Sequence, residues 1–311
     1  MDRLRRVLEE QYGLDVGSIR PAPRGFVAET YLVRTRTGQP YFVKRFPPGR
    51  LPRYALDSLP VLPELSRLGM EEINVPLAAR SGALYARDES GVVVVVLSYV
   101  DAEQAPEYDL RRFGELVAGL HRRTELIAVP LVREAFNLPY AVELQASLSA
   151  AARPAADAIA AALQRFLDEY RREIRQDWNE LEQVAAQCRG AETRRVITHG
   201  DAPGNVLVDR RGGIYIVDWD EILLAPPERD TWFLADEPEF LAGYRSVFDD
   251  YTPNRLSYRF YLLNRYFEDL LGYVREILAA GSSEHRAWNL DELHKTCVDW
   301  LRPLIRATDH A

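Results

Sequence analysis

Lysine is almost missing from this chain. Of 39 basic residues among 311, only Lys44 and Lys295 carry an ammonium, and arginine supplies the rest. A compact ammonium on a flexible stem and a planar guanidinium fork do different work. In so arginine-biased a chain, a lysine that persists calls for a reason in its own geometry. Lys295 lies in a polar, helical C-terminal stretch and reads as an ordinary solvated residue. Lys44 lies in the strand-like segment PYFVKRF and reads as a functional one.

Cysteine is nearly absent too. Cys188 and Cys297 stand alone in helical contexts, which excludes a disulfide framework and any cysteine-based metal site. Long apolar runs are lacking: none is longer than the six residues from Val92 to Leu97, far too short to cross a bilayer. The opening MDRLRRVLEE has no apolar signal core, so the expectation is a cytoplasmic protein with no membrane partner. There is no excess of positive charge. A net charge of −8 and a pI near 5.3 argue against nucleic acid as a partner and are compatible with a cationic small substrate. What remains is ordinary: 47% hydrophobic and 28% charged residues, in a length suited to one large or two modest domains.

Periodicity changes once along the chain. Leu4, Val7, Leu8 and Tyr12 mark a short amphipathic helix that Gly13 ends. From Ile19 to Phe46 the pattern is strand-like: a run to Val27, then Glu29 to Thr35, a Thr37-Gly38 turn, and Tyr41 to Phe46. Arg53 to Leu68 reads as one helix kinked by Pro60 and Pro63, followed by strands at Leu77 to Ala86 and Val92 to Tyr99. Past Asp101-Ala102 helical spacing takes over, at Leu110 to His121, along one long helix from Ala155 to Gln187, and at Arg255 to Leu278. The expected division is therefore a β-rich part at 1–100 and a mainly helical part at 101–311.

The most informative stretch runs from Val196 to Trp232, VITHGDAPGNVLVDRRGGIYIVDWDEILLAPPERDTW. Two acids, Asp201 and Asp218, and one amide, Asn205, surround a short hairpin, the polar kit that phosphoryl transfer from a metal-bound nucleotide requires. If Arg210-Arg211-Gly212-Gly213 is a four-residue loop closing on Asp209 and Ile214, Val206 falls opposite Val217 and Asn205 opposite Asp218. Opposed β-carbons lie about 5 Å apart, so the amide oxygen and the carboxylate could share one Mg²⁺. A one-residue slip would turn these side chains to opposite faces.

In this order, the parts resemble the aminoglycoside phosphotransferase branch of the protein-kinase-like fold. DWDEILLAPPERDTWF, followed later by NRYFEDLLGYV, is most similar to its spectinomycin phosphotransferase group. The resemblance implies an α+β, bilobal fold, with an antiparallel N-terminal sheet, one main helix beside it, and a larger helical C-terminal lobe. It implies ATP and Mg²⁺ as cofactors. His199-Gly200-Asp201 resembles the catalytic loop, with Asp201 as the base that orients the acceptor hydroxyl. Asn205 and Asp218 fall at the metal-ligand positions, and Lys44 where a lysine grips the α- and β-phosphates. Ser98 and Val100 fall at the hinge, where backbone groups meet the adenine edge. The acid that pairs with Lys44 stays open between Asp57 and Glu64. Asp220 reads as a contributor to a second metal shell or as a loop orienter. Asp230 reads as an N-cap or a brace, His121 and His199 as structural contacts, and Arg24 to Thr30 as the phosphate-covering loop. The aromatic stripe Tyr258, Tyr261, Tyr266, Phe267 and Tyr273 reads as core.

One departure stands out. The family places four residues between the loop aspartate and the metal asparagine; this chain has three, Ala202-Pro203-Gly204, with Gly204 able to take a positive φ. The shortened loop bears on where Asp201 points. The leading expectation is an ATP-dependent kinase acting on a hydroxyl of an aminoglycoside-like or other cationic metabolite. A homoserine- or choline-type kinase and a nucleotide-binding pseudokinase without turnover stand beside it. A metal-dependent phosphoesterase would need further His and Asp ligands that the motif lacks. The acceptor is expected between the catalytic loop and the C-terminal helices, with Glu180, Glu268 and Asp269 as acids to attract a cation. Acceptor identity, ATP against GTP, and monomer against homodimer are not encoded in any motif.

Overall fold

Alternating apolar residues build the sheet that carries Lys44. The computed structural model describes residues 1–22, 27–279 and 281–308; residues 24–26 of the expected phosphate-covering loop lie outside them. The chain divides into two compact units, residues 1–134 with 194–251, and residues 135–193 with 252–311.

In the first unit, β1 (Val16–Pro21), β2 (Glu29–Thr35), β3 (Pro40–Phe46), β4 (Ala86–Arg87) and β5 (Val93–Ser98) form one antiparallel sheet in the order β1-β2-β3-β5-β4. Successive side chains point to opposite faces. Val33, Val43, Val94 and Val96 therefore share a core with Leu4, Val7 and Leu8 of the helix Asp2–Gln11. Phe42, Phe46, Val93, Val95 and Leu97 turn the other way and pack with Leu62, Leu65, Ile216 and Trp219. Lys44, two residues from Phe42 and from Phe46, belongs to this second face, paired with Thr30 on one side and Val95 on the other.

The expected helix after β3 is two short ones, Ala55–Ser58 and Val61–Arg67. Pro60 caps the second, and Pro63 sits in its first turn, where a missing N–H leaves no helical bond unmade. The strand expected from Leu77 to Ala86 is mostly a turn, closed by Ala79 and Ala83 around Gly82 at φ +84°; Leu77 N–H bonds the Val96 carbonyl at 2.8 Å, and Ala86 and Arg87 form β4. Two helices of this unit, Leu110–Arg122 and Pro238–Val247, approach so closely at Gly114 and Gly243 that a methyl group on either would overlap the backbone of the other helix.

Five further short strands follow in chain order: β6 (Glu103–Gln104), β7 (Val196–Thr198), β8 (Val206–Val208), β9 (Ile214–Ile216) and β10 (Leu223–Ala225). β7 pairs with β10, and β8 lies between β6 and β9.

The second unit is helical. The single long helix expected from Ala155 to Gln187 is instead Ala158–Glu169 and Arg171–Gly190, separated at Tyr170, and a helix at Ala141–Ala151 precedes them. Arg255–Leu278 is one uninterrupted helix whose Asn254 side chain caps the Ser257 N–H. Tyr266 and Phe267 are fully buried, and Trp178 meets the Phe267 ring edge-on at 5.0 Å, so this part of the aromatic stripe is core.

Candidate functional site

The hairpin that should place Asn205 and Asp218 is tied one residue tighter than its sequence suggests. Asp209 N–H donates to the Gly213 carbonyl at 2.9 Å, and the Asp209 carboxylate accepts from Arg211 and Gly213 N–H at 2.7 and 2.8 Å. The loop therefore has three residues, with Gly212 at φ +83° in the left-handed position such a loop needs. Val206 then pairs with Ile216, not Val217, and Asn205 falls opposite Val217, not Asp218. The ladder's last bond is Val217 N–H to Asn205 O at 3.0 Å. Asp218 leaves the ladder at once with φ +68°, a left-handed conformation that aspartate tolerates better than most residues. That turn re-aims its carboxylate off the strand.

The redirected carboxylate meets Lys44. Lys44 Nζ bonds Asp218 Oδ1 and lies 2.8 Å from Asp220 Oδ1. The intervening Trp219 is buried, with its Nε1–H on the Ile216 carbonyl at 2.8 Å. Burial alone would strip the charge from Lys44, but Asp220 and Asp218 override it and hold the ammonium above its ordinary value. Burial opposes the charge of both acids as well. Lys44 nevertheless keeps Asp218 below the usual carboxylate range, while Asp220, with Asp218 beside it, is pushed up. Glu64, an acid of the helical segment after β3, is engaged by Arg67 at 2.7 Å.

The loop from β7 to β8 is braced from below. Asp230 accepts the N–H groups of His199 and Gly200 at 2.8 and 2.6 Å, and its Oδ2 lies 3.1 Å from His121 Nε2. His121 Nδ1 lies 2.6 Å from the Tyr244 hydroxyl. Burial works against the charge of Asp230, yet the His121 hydrogen bond and nearby charges keep it below the usual carboxylate range. Asp230 is thus a brace, as are His121 and His199. Arg229, to which the sequence assigns no role, fills the space beside Gly200, where a side chain would overlap its guanidinium. It donates to Thr198 Oγ1 at 3.1 Å and to the Glu221 carbonyl at 2.9 Å, tying the Asp201 loop to the Asp218 loop.

The shortened segment closes as a 3₁₀ turn, Pro203–Asn205, with Asn205 N–H on the Ala202 carbonyl at 3.0 Å. Gly204 does not use a positive φ. Asn205 Nδ2 reaches back to Asp201 O at 2.8 Å and Oδ2 at 3.3 Å, and Asp201 itself is exposed. With its amide nitrogen committed to Asp201, Asn205 has its oxygen left as the coordinating end. Among the described residues no three His, Cys, Asp or Glu side chains converge on a common metal position. The Asn205 amide oxygen and the Asp218 carboxylate are donors of the hard kind that an ion such as Mg²⁺ would take beside phosphate and water.

Ser98, Tyr99 and Val100 border a cavity of about 470 Å³, together with Ile73, Asp101 and Tyr215. Ser98 exchanges bonds with Val75, N–H to O at 2.8 Å and Oγ from N–H at 2.9 Å, which fixes the end of β5. In the helical unit, Glu180 is paired with Arg259 through both carboxylate oxygens and Asp269 with Arg265 at 2.9 Å, so neither is a bare acid for a cation.

The chain is similar to several known proteins. Protein StrN of Streptomyces griseus is 32% identical over 210 residues, spanning 58% of this chain and 62% of StrN. Spectinomycin phosphotransferase APH(9)-Ia, solved with ADP and spectinomycin, superposes with a TM-score of 0.79 at 19% identity, covering 100% of this chain and 98% of its own. The microcompartment-associated aminopropanol kinase gives 0.67 at 15% identity, covering 99% and 98%. At such identities these two establish the kinase-like α+β fold. The model of the phosphotransferase enzyme family matches residues 18–261, a span that holds Lys44, the Asp201 loop and the Asp218 turn together. On that match the chain belongs to the phosphotransferase enzyme family.

Proposed function

We propose that this protein is an ATP-dependent kinase that transfers the γ-phosphate to a hydroxyl of a small molecule. The observation that carries the reading is the joint placement of Asp201, Asn205, Asp218 and Lys44 within one compact unit. Lys44 would bind phosphate, and Asn205 and Asp218 would hold Mg²⁺, which neutralises charge on the triphosphate when bound. Asp201, exposed on its loop, would accept the acceptor's proton and orient its hydroxyl. Residues 1–100 would form the nucleotide-binding part, with Ser98 and Val100 along the base, and residues 101–311 the catalytic and acceptor-binding part.

The acceptor we infer is a hydroxylated amine. Its support is the chain's net charge of −8 and a fold shared with kinases named for spectinomycin and aminopropanol. A second reading, nucleotide binding without turnover, draws on the Asn205 amide that occupies Asp201 Oδ2 in the shortened loop. ATP consumption measured against spectinomycin, other aminocyclitols, aminopropanol, choline, homoserine and neutral sugars separates the two. Phosphorylation of one of these amines supports the kinase. Tight nucleotide binding with no product from any acceptor supports the second reading, and product only from neutral sugars overturns the cationic acceptor.

A further inference from the structure

Lys44 is buried, and its ammonium needs a compensating carboxylate because an unpaired buried charge is costly. The helical segment after β3 offers Asp57 and Glu64. Glu64 is committed to Arg67, and the break at Leu59-Pro60 splits the segment into helices of four and seven residues. Among the described residues the ion pairs of Lys44 are with Asp218 and Asp220. These two acids are not equivalent. The Asp218 side chain is 48% exposed and that of Asp220 only 20%. Asp218 is the one open to an incoming ligand, and Asp220 lies on the inner side of the turn. The buried Trp219 between them, bonded to the Ile216 carbonyl, anchors that turn.

We propose that Asp220 is the positioning residue of Lys44, standing in for a carboxylate on the neighbouring helix. It holds the ammonium at its place on β3 and keeps holding it when Asp218 engages a bound nucleotide and metal. What Lys44 grips rests on the kinase reading; the Lys44–Asp220 pair does not.

Two measurements test this. The first is independent of nucleotide: with lysine labelled at Cε the chain gives two signals, and the Lys44 signal should move in Asp220→Asn and stay in Glu64→Gln and Asp57→Asn. The second is ATP titration into wild type, Lys44→Met, Asp220→Asn and the double variant, with Mg²⁺ and again with EDTA. Asp220→Asn should weaken ATP by about tenfold or more under both conditions, since a displaced ammonium acts on phosphate directly. The double variant should bind no more weakly than Lys44→Met, as expected for two residues acting as one unit. Asp220→Glu, which keeps the carboxylate, should recover most of the binding and covers the case in which Asp220→Asn does not fold. A loss seen only with Mg²⁺ would make Asp220 a metal ligand and overturn the proposal. So would fully additive losses, or a Lys44 signal that moves in Glu64→Gln instead. If wild type binds no ATP while the Lys44 signal still moves as stated, the kinase reading fails and the pair stands.

Discussion

His199 Nδ1 accepts the backbone N–H of Asp201 at 3.2 Å while His199 Nε2 faces the Val217 carbonyl at 3.0 Å. An acceptor at one nitrogen and a donor at the other define the neutral, Nε2-protonated tautomer. The imidazole thus links the loop of Asp201 to the end of β9 and has no proton to give to catalysis.

Burial holds His199 below the ordinary imidazole range, so the folded chain resists protonating it. In the unfolded chain it takes a proton below about pH 6.5. Its contribution to stability is complete above that pH and shrinks as pH falls toward the lower folded value, by up to about 1.4 kcal/mol per pH unit. Urea unfolding at pH 7, 6 and 5 should show this decline in wild type and a shallower one in His199→Gln. Equal slopes would mean that His199 is not held neutral.

Asp201→Asn and Lys44→Ala should separate turnover from binding. On the proposed reading the first removes the base that acts on the acceptor, and it should lower kcat by about a thousandfold with nucleotide affinity largely kept. The second should weaken MgATP binding itself. Steady-state kinetics with direct titration of nucleotide decides the matter, and full activity in Asp201→Asn would refute its assignment.

Gly200 has φ +98° and its α-carbon faces the Arg229 guanidinium. Gly200→Ala should cost about 1–3 kcal/mol from the backbone alone, beyond any displacement of Arg229. Arg229→Met avoids the backbone strain but unties Thr198 from Glu221. Both variants should lose kcat, and only Gly200→Ala should carry the strain cost in a thermal melt.

The crossing of helices Leu110–Arg122 and Pro238–Val247 has no room for a β-carbon at Gly243, which would overlap the Arg111 carbonyl. Gly243→Ala should therefore lower stability by about 3 kcal/mol, although alanine is the better helix former. A denaturant midpoint unchanged from wild type would contradict the close approach. Gly272, in the helix Arg255–Leu278, has nothing near its missing β-carbon and is the control: Gly272→Ala should be neutral or stabilising.

Strong local patterns were legible in the sequence. β2, β3, β5 and the helix Arg255–Leu278 follow from apolar periodicity almost residue for residue. The break at Tyr170 was not, because neither proline nor glycine marks it and helical spacing continues through it. The hairpin register differs by one residue from the one a four-residue loop predicts, because Asp209 folds its own carboxylate into the turn. In the site, Asp201, Asn205 and Asp218 lie close together in sequence and announce themselves as a group. Arg229 does not, since its role depends on a missing side chain at Gly200, twenty-nine positions earlier. The Asp220 partnership of Lys44 joins residues 176 apart, with no spacing rule to reveal it.

The scarcity of ε-amines has a practical meaning. Lys295 exposes 57% of its side chain, whereas Lys44 exposes 6% and is held by two carboxylates. An amine-acylating reagent should thus reach the terminal amine and Lys295 in the closed chain, Lys295 slowed by its pairs with Asp291 and Glu292, and reach Lys44 only when the site opens. The acylation rate of Lys44, read by peptide mass, becomes a clock for that opening, and it should slow when nucleotide covers the amine.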